Sequence, residues 1–362
     1  MSEDLIKVGL VGAGANTALR HIPNLRLQQG VEIVGVANRS LESSRRVCKE
    51  FEISQAYSDW MEMMDDDEID AICIGTWPYM HRTLTLAAMD AGKHVLCEAR
   101  MASNATEAHE MLDASLGSPD LIGQIVPPPH VMGIERHLID LISDNYLGEI
   151  IKVDASFYGQ STWPDYETPV HWRDDRDLSG NNVMQMGIWY ENLMRLVGTA
   201  SSVQARANNV AKWRPNANGE RTFLTIPDQV DISYQLIGGG TVNFCMSTAI
   251  GPFAPPLNIW IYGDQGTIHI TDKIPSDNSV SGGGQNNDLF VEGGQRSDDE
   301  LKEITIPEGK RGSWRVEEEF INAIRGEEQV TRTNFTDGVK YMEFTDAVQE
   351  SWQLGRAVTL PL

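Results

Sequence analysis

Apolar residues fall in short blocks through the first third of the chain, each followed by a stretch with helical spacing. Residues 6–11 (Ile-Lys-Val-Gly-Leu-Val) run into a glycine turn, and residues 16–29 then read as a helix. Residues 31–37 are a second strand. Residues 41–51 have helical spacing behind Ser40, a residue type suited to an N-cap. Further apolar blocks lie at 70–75, 94–98 and 121–126, with helices expected over 81–91 and 104–112. Gly92 stands where a helix-ending glycine belongs. Strand and helix alternating in this order predict an α/β domain with a parallel, doubly wound sheet. Prolines 127–129 cannot continue a strand or a helix interior. They divide the chain into a first domain, 1–126, and a second, 127–362.

The second domain has a different rhythm. Residues 150–158, 203–209, 229–237, 241–248, 257–262 and 267–271 alternate apolar and polar positions. Gly238-Gly-Gly240 and Gly263-Asp-Gln-Gly266 each join two of these runs as hairpin turns. The pattern predicts an α+β domain built on one large, mostly antiparallel sheet. Residues 275–299, rich in Gly, Ser, Asn and Asp, read as a mobile loop. Residues 316–325 and 336–355 read as closing helices.

Charge narrows the function. With 29 Lys and Arg against 52 Asp and Glu, the net charge is −23. Without a basic patch, such a surface repels nucleic acid and anionic lipid, so neither is an expected partner. No apolar run reaches the roughly 20 residues that cross a bilayer. The start, Met1-Ser-Glu-Asp-Leu-Ile-Lys7, lacks the basic and apolar regions of a signal peptide. The four cysteines form no Cys-x-x-Cys pair, and no metal site is expected. These features together predict a cytoplasmic protein.

Gly12-Ala-Gly14-Ala-Asn-Thr17 joins the first strand to the first helix. There Gly12 permits the tight turn, and Gly14 lets the backbone of Ala15 and Asn16 approach a pyrophosphate at the helix N-terminus. Thr17 replaces the third glycine of the dinucleotide fingerprint. The second strand ends in Asn38-Arg39-Ser40, without the acidic residue that would bind a ribose 2′-hydroxyl. Asn38 removes repulsion toward a 2′-phosphate, and Arg39 and Ser40 offer it partners. The expected cofactor is therefore NADP(H), with NAD(H) the alternative.

The chain resembles the Gfo/Idh/MocA oxidoreductases, the glucose-fructose oxidoreductase and inositol dehydrogenase family. The resemblance is carried by Val8-Gly-Leu-Val-Gly-Ala-Gly14, Gly75-Thr-Trp-Pro-Tyr-Met-His81, Ala88-Met-Asp-Ala-Gly-Lys-His-Val-Leu-Cys-Glu98, Leu147-Gly-Glu-Ile150, Trp172-Arg173 and Gly338-Val-Lys-Tyr-Met-Glu-Phe-Thr-Asp-Ala347. It implies a Rossmann domain followed by an open-faced sheet that shapes the substrate site and forms a homodimer or homotetramer interface. It also implies hydride transfer between nicotinamide and a sugar, polyol or related hydroxy or carbonyl compound. Two departures matter. The family's Glu-Lys-Pro is here Glu98-Ala99-Arg100, and the Asp and His of its Asp-x-x-x-His are here Gln185 and Trp189. Both usual titrating groups are missing.

Candidates for the chemistry follow from this. Tyr190 or His171 could move the proton, the tyrosine with a cation such as Arg173 or Arg100 beside it. Glu98 is expected near the nicotinamide, and Thr76, Trp77, His81 and Arg100 along the cofactor. Trp163, Trp172, Arg173, Gln185 and Trp189 are expected around the substrate. Two other readings stay open: a lyase or glycosidase that keeps NAD(P) bound and recycles it internally, and a non-catalytic nucleotide or sugar sensor.

Overall fold

The computed structural model describes residues 5–158, 163–251, 253–272 and 289–362. The chain divides into two compact units, Met1–Pro127 with Arg315–Met342, and Pro128–Trp314 with Glu343–Leu362. The first holds a six-stranded parallel sheet: β1 (Ile6–Val11), β2 (Val31–Ala37), β3 (Gln55–Tyr57), β4 (Ala71–Ile74), β5 (His94–Cys97) and β6 (Gly123–Ile125). Their order is β3-β2-β1-β4-β5-β6. The order reverses between β1 and β4, and ligands of such sheets bind outside the strand ends at that point. β4 is buried at every position, as a strand covered on both faces must be. Helical backbone runs from Ala15 through a π turn at Thr17–His21 into α1 (Ile22–Leu27). The remaining helices here are α2 (Leu41–Glu50), α3 (Trp60–Met64), α4 (Pro78–Asp90) and α5 (Ala105–Gly117). α4 begins three residues earlier than the sequence suggests, because Pro78 occupies its first turn, where a missing N–H costs nothing.

The second unit contains α6 (Met132–Ser143), α7 (Arg176–Ser179) and α8 (Met186–Val197). Its sheet is built from β7 (Ile150–Phe157), β8 (Ala200–Asn208), β11 (Gln229–Leu236), β12 (Thr241–Ser247), β13 (Leu257–Gly263), β14 (Gly266–Asp272), β15 (Leu289–Gln295), β16 (Lys302–Glu303) and β17 (Val358–Thr359). β9 (Trp213–Pro215) and β10 (Arg221–Phe223) form a separate ribbon. The large sheet has the order β16-β15-β14-β13-β7-β12-β11-β8-β17. All its pairings are antiparallel except β7 with β12. Alternation sets its faces. Along β11, Val230, Ile232, Tyr234 and Leu236 are buried, while Asp231, Ser233 and Gln235 are exposed. The expected loop over 275–299 is corrected in part, since Leu289–Gln295 pairs with β14 as a strand. The rest of that expectation, up to residue 288, lies outside the described residues.

The closing segment also departs from the sequence reading, which gave all of 127–362 to the second domain. Arg315–Met342 groups with the first unit. It carries α9 (Val316–Ile324) and the beginning of α10 (Phe335–Leu354). Buried carboxylates are costly unless fully bonded, and α9 buries Glu317 and Glu319. Glu319 accepts from Gln124 Nε2 at 2.8 Å and from the Thr331 N–H at 3.0 Å. Tyr341 Oη accepts the Met101 N–H at 2.6 Å. The later part of α10 serves the second core. Phe344 stacks on Tyr190 of α8 at 3.7 Å between ring centroids and meets Tyr234 edge-on at 5.3 Å. No helix among the described residues is long and apolar enough to cross a membrane.

This aromatic stack centres the second unit, so Phe344→Ala is expected to lower stability by about 3–5 kcal/mol, read from urea unfolding. A loss below about 1 kcal/mol would show that the stack is incidental.

Candidate active site

The glycine turn has the form a pyrophosphate needs. Gly12 has φ +84°, and a Cβ there would lie 2.6 Å from Thr76 Cγ2. A Cβ on Gly14 would meet no atom within 4 Å, so it would project into the open space over the helix start. Gly14, Ala15 and Asn16 are exposed there. The first N–H groups of a helix lack intrahelical partners and favour an anion. Thr17, in place of the third glycine, is buried and donates to the Gly12 carbonyl at 3.2 Å. Gly75 makes room for it, since a Cβ at Gly75 would sit 2.1 Å from Thr17 Oγ1. Thr76 Oγ1 is buried beside this turn with no hydrogen-bond partner among the described residues. An orphaned hydroxyl at a phosphate cradle fits a bound dinucleotide.

The end of β2 sorts its three candidates. Asn38 braces the fold: Oδ1 accepts the Ala13 N–H at 2.8 Å, and Nδ2 donates to Ser43 Oγ at 3.2 Å. Ser40 Oγ accepts the Ser43 N–H and caps α2. Arg39 is exposed, with its guanidinium 4.8 Å from the centre of the Trp77 ring. Trp77 is itself the residue that precedes α4.

At the end of β5 the structure shows a cluster that the sequence did not reveal. His21 is fully buried, with Nδ1 2.6 Å from Glu317 Oε1 and Nε2 2.9 Å from Glu98 Oε1. Burial alone would lower the imidazole pKa, but the bonds to Glu317 and Glu98 outweigh it and raise it to about 9. Both nitrogens therefore carry protons at neutral pH. Asn16 Nδ2 also donates to Glu98 Oε1, and the Ala99 N–H donates to Oε2 at 3.1 Å. Burial pushes the Glu98 pKa up, and these donors together pull it below the usual range. Glu98 is thus a fixed carboxylate and a poor proton acceptor, against its expected place among the catalytic groups. Nothing in the spacing of residues 21, 98 and 317 announces the cluster.

His81 does not face a ligand either. It is fully buried, with Nδ1 2.8 Å from the Arg100 carbonyl and Nε2 3.0 Å from the Thr76 carbonyl. It joins the two loops that follow β4 and β5. Arg100 is 2% exposed, so its charge sits inside the unit and not on an open site wall.

The second unit corrects the proton-transfer candidates. Tyr190 is 1% exposed, and its hydroxyl accepts the Ala200 N–H at 2.9 Å. Burial pushes its pKa up to about 12, the wrong direction for an acid or base at neutral pH. It is a core residue. His171 is exposed and caps the short helix Trp172–Asp174, with Nδ1 accepting the Arg173 N–H at 3.3 Å. Partial burial lowers its pKa, and the Arg173 charge adds to this. Arg173 lies over Trp172 at 4.3 Å. Trp163 belongs to a different cluster: it is 65% exposed and meets Phe253 edge-on at 6.4 Å.

Arg214 of β9 holds the segment before His171. It donates to the Thr168 carbonyl at 2.8 Å, the Pro169 carbonyl at 3.1 Å and Asp174 Oδ2 at 3.1 Å. Gln185 precedes α8 in the left-handed region, φ 64°, directly after Met184 at φ 44°. Two consecutive left-handed residues without glycine cost energy, and such strain clusters at functional sites. Trp189 stacks on Phe157 at 4.2 Å and lies tilted against His130 at 4.1 Å between ring centroids. His130 follows the three prolines, a segment whose only sequence signal was a boundary.

The His21 cluster makes the stability depend on pH. Its folded pKa lies above the unfolded value near 6.5, so its contribution is complete below about pH 6.5 and is lost as pH rises through about 9. The stability difference between wild type and His21→Gln, measured by urea unfolding, should shrink over that window. A difference independent of pH between 6 and 10 would contradict a charged His21.

Comparison with known proteins agrees with this arrangement. Residues 6–116 match the model of an oxidoreductase family with an NAD-binding Rossmann fold, and residues 139–360 match that family's C-terminal alpha/beta domain. An uncharacterised oxidoreductase of Rhizobium meliloti is 25% identical over 202 residues, which span 54% of this chain and 57% of that relative. The scyllo-inositol 2-dehydrogenase (NADP(+)) of Bacillus subtilis is 24% identical over 301 residues, 81% of each chain. A levoglucosan dehydrogenase solved with NADH and L-sorbose shares the fold, with a TM-score of 0.81 and 21% identity over 98% of this chain and 99% of that one. With both family models matched along nearly its full length, the chain belongs to the Gfo/Idh/MocA oxidoreductase family.

Proposed function

We propose that this protein is a nicotinamide-dependent oxidoreductase of a sugar, polyol or related hydroxy or carbonyl compound, with NADP(H) favoured. The observation that carries the reading is the cradle at Gly12 and Gly14, with the orphaned Thr76 hydroxyl beside it. Ala15 and Asn16 would offer backbone N–H groups to the pyrophosphate, while Glu98 stays fixed as a carboxylate by His21 and Asn16. When bound, the nicotinamide supplies the hydride acceptor or donor. Support for NADP(H) is the exposed Arg39 over Trp77 at the end of β2, where no acidic residue stands. The NADP(+) in the name of the Bacillus relative agrees with it, and the NADH in the levoglucosan dehydrogenase complex keeps NAD(H) as the alternative.

On the substrate side, Trp172 and Arg173 form one polar and aromatic edge, and Gln185 and Trp189 another. Arg214 positions the first of these. For a homo-oligomer, β13 and β14 would offer a part-exposed aromatic stripe. Trp260 stacks on His269 at 3.8 Å and lies parallel to Tyr262 at 5.8 Å.

The first measurement is binding of NADPH and NADH to nucleotide-free protein, preceded by identification of any nucleotide released on denaturation. NADPH should bind more tightly, and Arg39→Glu should weaken it by about 10- to 100-fold, the worth of a charged hydrogen bond of about 1.5–3 kcal/mol, with NADH little changed. Stoichiometric nucleotide in fresh protein would instead favour internal recycling, and binding of neither would leave the sensor. With a substrate in hand, Arg214→Ala should raise KM about tenfold and leave the cofactor Kd unchanged. A shift in cofactor Kd alone would refute the assignment of that arginine to the substrate side.

A further inference from the structure

Glu98 is the charged group of the first unit whose fixed state the proposed function leaves without a purpose. It follows β5 directly, so it stands at the carboxyl edge of the parallel sheet, where ligands of such sheets bind. The strand order β3-β2-β1-β4-β5-β6 divides that edge. The glycine turn after β1 takes the pyrophosphate and the end of β2 takes the adenosine ribose, which leaves the ends of β4 and β5 to the nicotinamide half. Asn16, exposed in the glycine turn, donates through Nδ2 to Glu98 Oε1, so the carboxylate is tied to the turn itself. The Glu98 side chain is 14% exposed, whereas that of His21 is fully buried and that of Glu317 is 1% exposed. Within the cluster, the open side therefore belongs to Glu98.

The charge at this point is not cancelled by its neighbours in the cluster. Where the family has a lysine beside this glutamate, Ala99 offers only a methyl group and an N–H, which donates to Oε2 at 3.1 Å. The cation in contact is His21, delivered by the π turn Thr17–His21 and shared with Glu317. Such π turns recur at functional sites. One imidazolium against two carboxylates leaves one negative charge within the cluster. The hydrogen bonds from Asn16 and Ala99 favour the charged form of Glu98 without neutralising it.

We propose that Glu98 discriminates between the two redox states of the nicotinamide and favours the oxidised one. The inference rests on the oxidoreductase reading. The oxidised ring carries a positive charge and the reduced ring carries none, so a fixed carboxylate at the end of β5 attracts only the first. Near a protein surface, opposite unit charges a few ångströms apart attract by more than a tenfold change in affinity requires. Because His21, Asn16 and Ala99 already hold the carboxylate, it neither turns nor loses a proton when the nucleotide arrives. The reduced nucleotide is then the more readily released form.

The test is equilibrium binding of NADP+, NADPH, NAD+ and NADH to the nucleotide-free full chain and to its Glu98→Gln and Glu98→Asp variants, with no turnover needed. Glu98→Gln keeps the shape and an accepting oxygen but removes the charge. It should weaken the oxidised nucleotides at least about tenfold and change the reduced ones by no more than about twofold, which raises the potential of the bound couple by about 30 mV. Glu98→Asp keeps the charge, and its ratio of oxidised to reduced affinity should stay within about threefold of wild type. Equal effects of Glu98→Gln on both redox states, or the same loss of the ratio in Glu98→Asp, overturn the proposal and leave Glu98 a brace of the glycine turn. Should Glu98→Gln fail to fold, wild type decides: tighter binding of the oxidised nucleotide than of its reduced partner supports the proposal, and equal affinity or the reverse order overturns it. Wild type that binds no nucleotide in either state fails the oxidoreductase reading and the proposal together, whereas binding blind to redox state overturns the proposal alone.

Discussion

One buried proton-sharing contact fixes the geometry of the first unit. His21, in the π turn after β1, lies between Glu98 at the end of β5 and Glu317 at the start of α9. Three segments far apart in the chain are thereby tied at one ring. Two carboxylates and one imidazolium leave a surplus of negative charge, and the Asn16 amide and the Ala99 N–H are the donors that make Glu98 tolerable. Removing one partner from such a buried pair typically costs about 3–5 kcal/mol. The same contact explains why Arg315–Met342 groups with the first sheet although it follows the whole second sheet in sequence.

The altered fingerprint is compensated in the same local manner. Thr17 brings a side chain where the dinucleotide fingerprint has a glycine, and Gly75 removes one directly opposite. The hydroxyl then bonds the Gly12 carbonyl and stiffens the turn it replaced. Asn38 takes over the brace to Ala13, which frees the surface at the end of β2 for Arg39. In a protein of net charge −23, Arg39 is stationed on the indole face of Trp77.

How much of this was legible in the sequence follows from the range of each interaction. The strand–helix alternation, the Gly12 turn, the Ser40 cap and the Gly238-Gly-Gly240 hairpin are set by neighbours within a few residues, and the structure has them where the pattern put them. Glu317 and Glu319 fall in the first turn of α9, and nothing local in the sequence says that they are buried. Tyr190 shows the converse. Its position beside the replaced histidine suggested chemistry, while the apolar spacing around it, Met186, Leu193 and Leu196, carried the truer signal of a core face. His130 was hidden by its context, since a proline run announces a break and says nothing about where the next side chain goes.

Chemistry in the second unit is constrained by this core. Burial raises the Tyr190 pKa to about 12 and the Glu343 charge adds to it, so that hydroxyl holds its proton at neutral pH. The same apolar surroundings act with opposite sign on imidazole, because the charged form of histidine is the protonated one. Burial lowers the His130 pKa to about 4 and moves that of His171 down as well. One physical effect therefore raises the tyrosine pKa and lowers those of the two histidines. The two differ at the backbone: His171 spends Nδ1 on capping the Trp172–Asp174 turn, whereas His130 Nδ1 has no hydrogen-bond partner among the described residues.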